Sequence, residues 1–265
     1  MLRTYAVPGL LVAVPVLLAL LGPFFASGDT GKDIALTLGG GHWLGTDHAG
    51  RDVWNEVLLG GRSLVVAALV ATTGTYVLAV PLGLVAGMTT NRLLDESIMR
   101  PLDLLLAVPS MLVLLLLAST APGVWWVLVG VVVLINLPDV VRICRTSALS
   151  VSAGPAVEAM RLQGESRARI GLTHVARSMR RTLAADLGVR FAGAIYLVAS
   201  ASFLGVGISP QVSDWAAMVD RNRAGLFVQP WAVVAPAILI VMLCVGVNLV
   251  FDRWLRRRPV APEVV

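Results

Sequence analysis

Val157–Val175 reads VEAMRLQGESRARIGLTHV, the least lipid-like stretch of a lipid-like chain. It holds Glu158, Arg161, Glu165, Arg167, Arg169 and His174. Around it Val, Leu, Ala and Gly dominate: 57% of the 265 residues are hydrophobic and 14% charged, and mean hydropathy is +0.82. A soluble core could not hide that much apolar surface, so the chain reads as an all-α polytopic membrane protein. The charged stretch must then lie outside the bilayer, and its position sets the order of the spans around it.

Local signals in this stretch are helical. Pro155 suits a first helical position, where its missing N–H is not needed. Gly164 suits the position just past a helix end, where a left-handed backbone closes the last turn. Between them Ala156, Ala159, Met160 and Gln163 fall at helical spacing and form a narrow face with small residues. Ser166 can cap a second helix, on which Ile170 and His174 stand at i and i+4. Two short helices joined at a glycine suit insertion into a groove on a partner. They equally suit an amphipathic loop that holds the spans in register, and local sequence does not separate the two.

A span needs about 20 mainly apolar residues. Six candidates meet this, at about 5–25, 64–88, 102–118, 124–141, 187–208 and 231–251, with a polar loop over about 142–186. FFASG after the first span loosely resembles a processing site. However, the run before it exceeds the roughly 7–15 apolar residues of a signal peptide, and only Arg3 precedes it. It is read as a retained span. With the N-terminus inside, 16 of the 21 basic residues fall on the cytoplasmic side, the bias expected for that orientation. Both termini and the opening stretch are therefore expected in the cytoplasm. Because the arginines flank apolar spans, they are read as orientation signals and not as a nucleic-acid surface.

Catalytic chemistry is hard to find. The only lysine, Lys32, lacks the glycine five positions before Gly31, where Ala26 stands, and the Ser or Thr after it that a phosphate-cradling loop requires. His42, Asp47, His48 and Asp52 cluster without metal-ligand spacing, and the favoured reading is a turn in which Asp47 caps a helix. That helix would lay Val53, Trp54, Val57 and Leu58 on the outer membrane surface. Cys144 and Cys244 lie at or within apolar segments and are read as packing. Asp103, Asn136, Asp139 and Asn248 are polar groups at or within spans. Such groups usually face an interior or a water-filled path, although capping and snorkelling near the interface explain them too. Asp186 and Arg190 stand at i, i+4 and can pair. Pro81, Pro109 and Pro138 are possible kinks.

EAMRLQGESRARIGLTHV resembles the Glu-Ala-Ala loop of ABC importer permeases of the dipeptide, oligopeptide and nickel group, matching at Glu158, Ala159, Gly164 and His174. Met160 replaces the third small residue, and Val175-Ala176 replaces the Leu-Pro after the histidine. LGTDHAGRDVW (44–54), SFLGVGISPQVSDWAAMV (202–219) and VNLVFDRW (247–254) resemble further segments of the C-type subunits of that group, in the same order. The resemblance implies a type I ABC importer permease fold with six transmembrane helices and a cytoplasmic coupling helix, in the bacterial inner membrane. It also implies partners: a related second permease subunit, two ATP-binding subunits or a fused one, and an extracytoplasmic solute-binding protein. ATP and Mg would sit on the partners, with no cofactor on this chain. Glu158, Ala159, Met160, Arg161, Gly164, Ile170 and His174 would carry the coupling, and short peptides would be the cargo. Related members carry nickel, metallophores, glutathione or haem. A polytopic membrane enzyme and a scaffold that anchors cytoplasmic partners are the alternatives of other classes.

Overall fold

The computed structural model describes residues 3–27, 33–39, 41–207 and 212–256. Lys32, the Ile208 end of the fifth expected span, and Arg257 and Arg258 of the basic tail lie outside the described residues. Five helices are long and apolar enough to cross a membrane, and a bent pair raises this to six. Among the described residues there is no strand, only an isolated bridge between Thr46 and Asp52.

Helix α1 spans Arg3–Phe25 and α2 spans Val53–Met88. The sequence suggested a surface helix before a span beginning near 64, but the two are one continuous helix. Its cap is Asp52, which accepts the Trp54 N–H at 2.9 Å. Asp47 instead folds a turn, accepting from the backbone N–H groups of Ala49 and Arg51, both at 2.8 Å. Val53, Val57 and Leu58 are buried, so this end of α2 enters the bundle and does not lie on lipid. The expectation of a surface helix failed because its apolar face has protein to pack against: the Trp215 indole bonds the Val57 carbonyl, and Gly22 of α1 lies against Leu58.

The third expected span is broken. Helix α3, Arg92–Ala107, and helix α4, Ser110–Ala118, meet at 91°. Pro109 brings no N–H to an α-helical turn and pushes Val108 into extended backbone, with ψ 130°. Helix α5, Trp125–Ser152, continues well past the expected end at 141 and carries Pro138 inside it. Its polar end stays packed because Arg145 grips Asp95 of α3 with two bonds of 2.7 and 2.6 Å.

Helix α6 spans Pro155–Leu162 and α7 is the single turn Arg167–Arg169. A π-helical segment, Ile170–Val175, leads into α8, Ala176–Phe203. Most of the expected polar loop is thus helical, and the fifth span ends at Phe203. Helix α9, Trp215–Asn222, was not anticipated, and α10, Trp231–Arg256, closes the bundle.

With lipid outside, packing and not water drives these helices together, so small residues sit where helices touch. Gly83 and Gly87, one turn apart on α2, face Cys144 and Ala148, one turn apart on α5; a Cβ at Gly83 would collide with the Cβ of Cys144. Gly83→Leu is expected to cost about 1–3 kcal/mol of stability, read as a lower thermal midpoint in detergent; an unchanged midpoint would mean that the two helices do not meet there.

The loop from Asp33 to Asp52 is tied down at the α9 end of the bundle. His48 donates its backbone N–H to Asn222 at 2.9 Å, and Gln229 donates to the carbonyl of Leu44 at 2.5 Å. His42 sits 3.1 Å from Asp33 and 3.5 Å from Asp52. The Asp33 bond holds its imidazole above the ordinary 6.5, with Asp52 adding to it. A raised histidine pKa means that the pairing is complete below pH 6.5 and lost as pH rises through the folded-state value. An NMR titration should therefore place the His42 midpoint above 6.5, and Asp33→Asn should bring it down.

Candidate functional site

Two features stand out, a projecting helix pair at one end and a cleft within the bundle. The helix pair is built as its capping residues dictate. Gly154 is the cap of α6 and Pro155 its first residue. At the other end Gly164 takes φ +82°. Its N–H donates to Arg161 at 3.0 Å, and the Glu165 N–H donates to Met160 at 3.1 Å, the paired bonds of a Schellman stop. Ser166 then caps α7 by accepting the Arg169 N–H at 3.3 Å.

Only one side of α6 touches the bundle. Val157 is fully buried, and it joins Ile170, Val175 and Met179 in a core with Val140, Val141, Cys144 and Ala148. Met160 is half-buried against that core, while Glu158, Ala159, Arg161 and Gly164 are exposed. Leu162 and Leu172 project too, at 85% and 73% exposure. The helix pair is therefore anchored on its inner face and unpartnered on its outer one. Ile170 belongs to the anchor and offers no outward contact. It also does not share a face with His174 as i, i+4 spacing suggested. The wider π turn aligns Ile170 with Val175, both buried, and leaves His174 half-exposed.

The second feature is a cleft of about 390 Å³ between the α3–α4 elbow, α5 and α8. Pro109 and Ser110 line it at the elbow, Asn136 and Asp139 on α5, and Tyr196 on α8; the remaining walls are aliphatic. Asp139 accepts from Arg190 at 2.7 Å. Arg190 also bonds Asp186 at 3.1 Å, and Asp186 accepts from the Tyr76 hydroxyl at 2.8 Å. One polar chain thus ties α2, α5 and α8 together. The i, i+4 spacing foretold the Asp186–Arg190 pair, and Asp139 was a pathway candidate, but nothing in the sequence showed that Asp139, 51 positions away, would share Arg190. The other two pathway candidates lie elsewhere: Asp103 pairs with Arg142 at 2.6 Å, and Asn248 bonds back to the carbonyl of Cys244 at 2.9 Å.

Residues 79–259, which include the helix pair, the cleft and all of α10, match the family model described as "Binding-protein-dependent transport system inner membrane component". The chain belongs to this family. Its relatives agree along nearly its whole length. The probable D,D-dipeptide transport system permease protein DdpC of Escherichia coli K12 is 29% identical over 91% of this chain and 82% of its own. A putative peptide transport system permease protein of Brucella suis is 31% identical over 94% and 85%. The glutathione transport system permease protein GsiD of Pectobacterium atrosepticum is 28% identical over 80% and 70%. Among solved structures, an inward-facing MetNI methionine ABC transporter chain superposes with a TM-score of 0.58 at 13% identity, covering 73% of this chain and 92% of its own. That likeness concerns the fold, and it agrees with the all-helical architecture described above. The chain is accordingly a multi-pass inner-membrane permease subunit of the ABC importer class.

Proposed function

We propose that this permease imports short peptides, with the outer face of α6 as the point where ATPase subunits act on it. The observation that carries the coupling assignment is the two-faced α6. Val157 fixes it to the helices that form the cleft, while Glu158, Ala159 and Arg161 remain exposed. A force applied to the exposed face passes through Val157 and Ile170 into α5 and α2, so two arrangements of the bundle can be biased by a partner's nucleotide state. The loop's resemblance to the Glu-Ala-Ala motif supports the same assignment for Gly164 and His174, and Met160 occupies the motif's third position without matching its small residue. On this reading both termini are cytoplasmic, and α9 with the Asp33–Asp52 loop faces a solute-binding protein outside. A related permease subunit completes the pathway, and ATP and Mg are bound by the ATPases.

The peptide cargo is supported by the names of the relatives, three of which concern peptides or glutathione. Its test is uptake by the whole complex in proteoliposomes, with binding protein outside and ATP within. Labelled di- to oligopeptides should accumulate in an ATP-dependent way. If no peptide accumulates while ATP hydrolysis proceeds, the cargo assignment is wrong, and metal chelates become the next class to measure.

A further inference from the structure

The geometry points to an ammonium-binding subsite in the cleft, formed by Asn136 and Asp139, that holds the free amino terminus of a peptide in transit; this rests on the peptide reading above. Asn136 is 8% exposed and lines the cleft. Its amide nitrogen is committed, donating to the carbonyl of Val132 at 3.0 Å. The side-chain oxygen is thereby turned to the other side, and among the described residues it accepts no hydrogen bond. That oxygen is not sealed from solvent, so it stands open to a donor supplied by a guest in the cleft.

Asp139 stands three residues on, lining the same cleft. Arg190 takes one of its oxygens, and its side chain stays 40% exposed. The second oxygen remains available. Arg190 is shared with Asp186, so two carboxylates face one guanidinium and the cluster keeps one formal negative charge. Both free groups are acceptors beside a net negative charge, which disfavours a carboxylate or phosphate and favours a cation with several N–H donors. For an anion, the hydroxyls of Ser110 and Tyr196 would be the only donors lining the cleft among the described residues. A protonated amine offers three such donors on one compact charge. Apart from Ser110 and Tyr196 the rest of the wall is aliphatic, which suits unspecific contact with variable side chains, as carriage of many peptides requires.

The test compares a dipeptide with its N-acetylated form, each saturating the binding protein, in proteoliposomes containing the whole complex. The readout is the ratio of the two uptake rates, which misfolding lowers in both arms alike. Wild type should favour the free amine by about tenfold, the worth of one charge-assisted hydrogen bond. Asp139→Asn and Asn136→Leu should each bring the ratio near one. Asn136→Leu leaves the Asp139–Arg190 pair untouched and so serves where Asp139→Asn disturbs packing. Equal wild-type rates for both peptides would overturn the subsite while leaving peptide import intact. A ratio unchanged in both variants would overturn it too. Failure of wild type to carry either peptide would overturn the peptide reading and the subsite together.

Discussion

Gly164→Val is expected to leave a folded protein that no longer transports. Gly164 has φ +82°, and no atom lies within 4 Å of where a Cβ would stand. The penalty is therefore purely one of backbone: a left-handed conformation costs an ordinary residue about 1–2 kcal/mol, and a β-branched one more. The segment escapes by rotating, which breaks the bonds from Gly164 to Arg161 and from Glu165 to Met160 and swings α6 away from its present angle. Because Arg161 and Gly164 are exposed and Met160 and Glu165 only partly buried, the thermal midpoint of the bundle should change little, whereas uptake and substrate-stimulated ATP hydrolysis should fall by at least about tenfold, the effect of some 1.4 kcal/mol of misalignment. Glu158→Arg is the companion variant. It changes charge on the exposed face without altering the backbone, and a surface substitution of this kind alters stability by only about 0.5 kcal/mol. If both variants transport at the wild-type rate, the coupling assignment to α6 is wrong.

Trp215→Ala should produce the largest loss of stability. Trp215 is fully buried, and its indole N–H donates to the carbonyl of Val57 at 2.8 Å. Its ring lies on Gly60 and Gly61 of α2, where a Cβ at Gly61 would intrude on it. Asp214, which caps α9 through the N–H groups of Ala216 and Ala217, is held in turn by the Ser63 hydroxyl at 3.1 Å. Removing the ring empties the joint between α9 and α2 and leaves a cavity that rigid helices cannot close. Truncations of this kind cost about 3–5 kcal/mol. Denaturation in detergent measures it, with Trp215→Phe expected to recover part of the loss because it refills the space without the indole bond. A cost below about 1 kcal/mol for Trp215→Ala would show that α9 is held by other contacts.

The capping of α6 and α7 was legible residue by residue, because Pro155 and Gly164 act through their own backbones and Ser166 through a hydroxyl on the adjacent turn, and none needs a tertiary neighbour. What lay nearby was less so. The π segment after Arg169 is invisible to a periodicity of 3.6, and it moved Ile170 into the core and off the face of His174. The elbow at Pro109 was signalled only as a possible kink, since proline permits a bend and the surroundings set its angle. Helix α9 is short and only partly apolar, and the motif around Trp215 marked it without showing that it folds back on α2. A glycine pair four apart on α2, matched by Cys144 and Ala148 four apart on α5, was a readable packing signal that the span count passed over.

The sequence by itself determined the all-helical membrane class, the approximate places of the spans, the two-helix form of the polar stretch and its membership of a transport family. The first three follow from hydropathy and backbone chemistry, which act over a few residues at a time; the family follows from the resemblance of the motifs around Glu158, Gly164 and His174. Only the tertiary structure decided which polar groups meet. Asp139 became part of a cleft because Arg190, from another helix, holds one of its oxygens and leaves the other open, while Asp103 and Asn248, equally plausible in sequence, are bound elsewhere. Pairing across a bundle depends on helix rotation and on the small residues that set how closely helices approach, and neither is written in the composition of any one span.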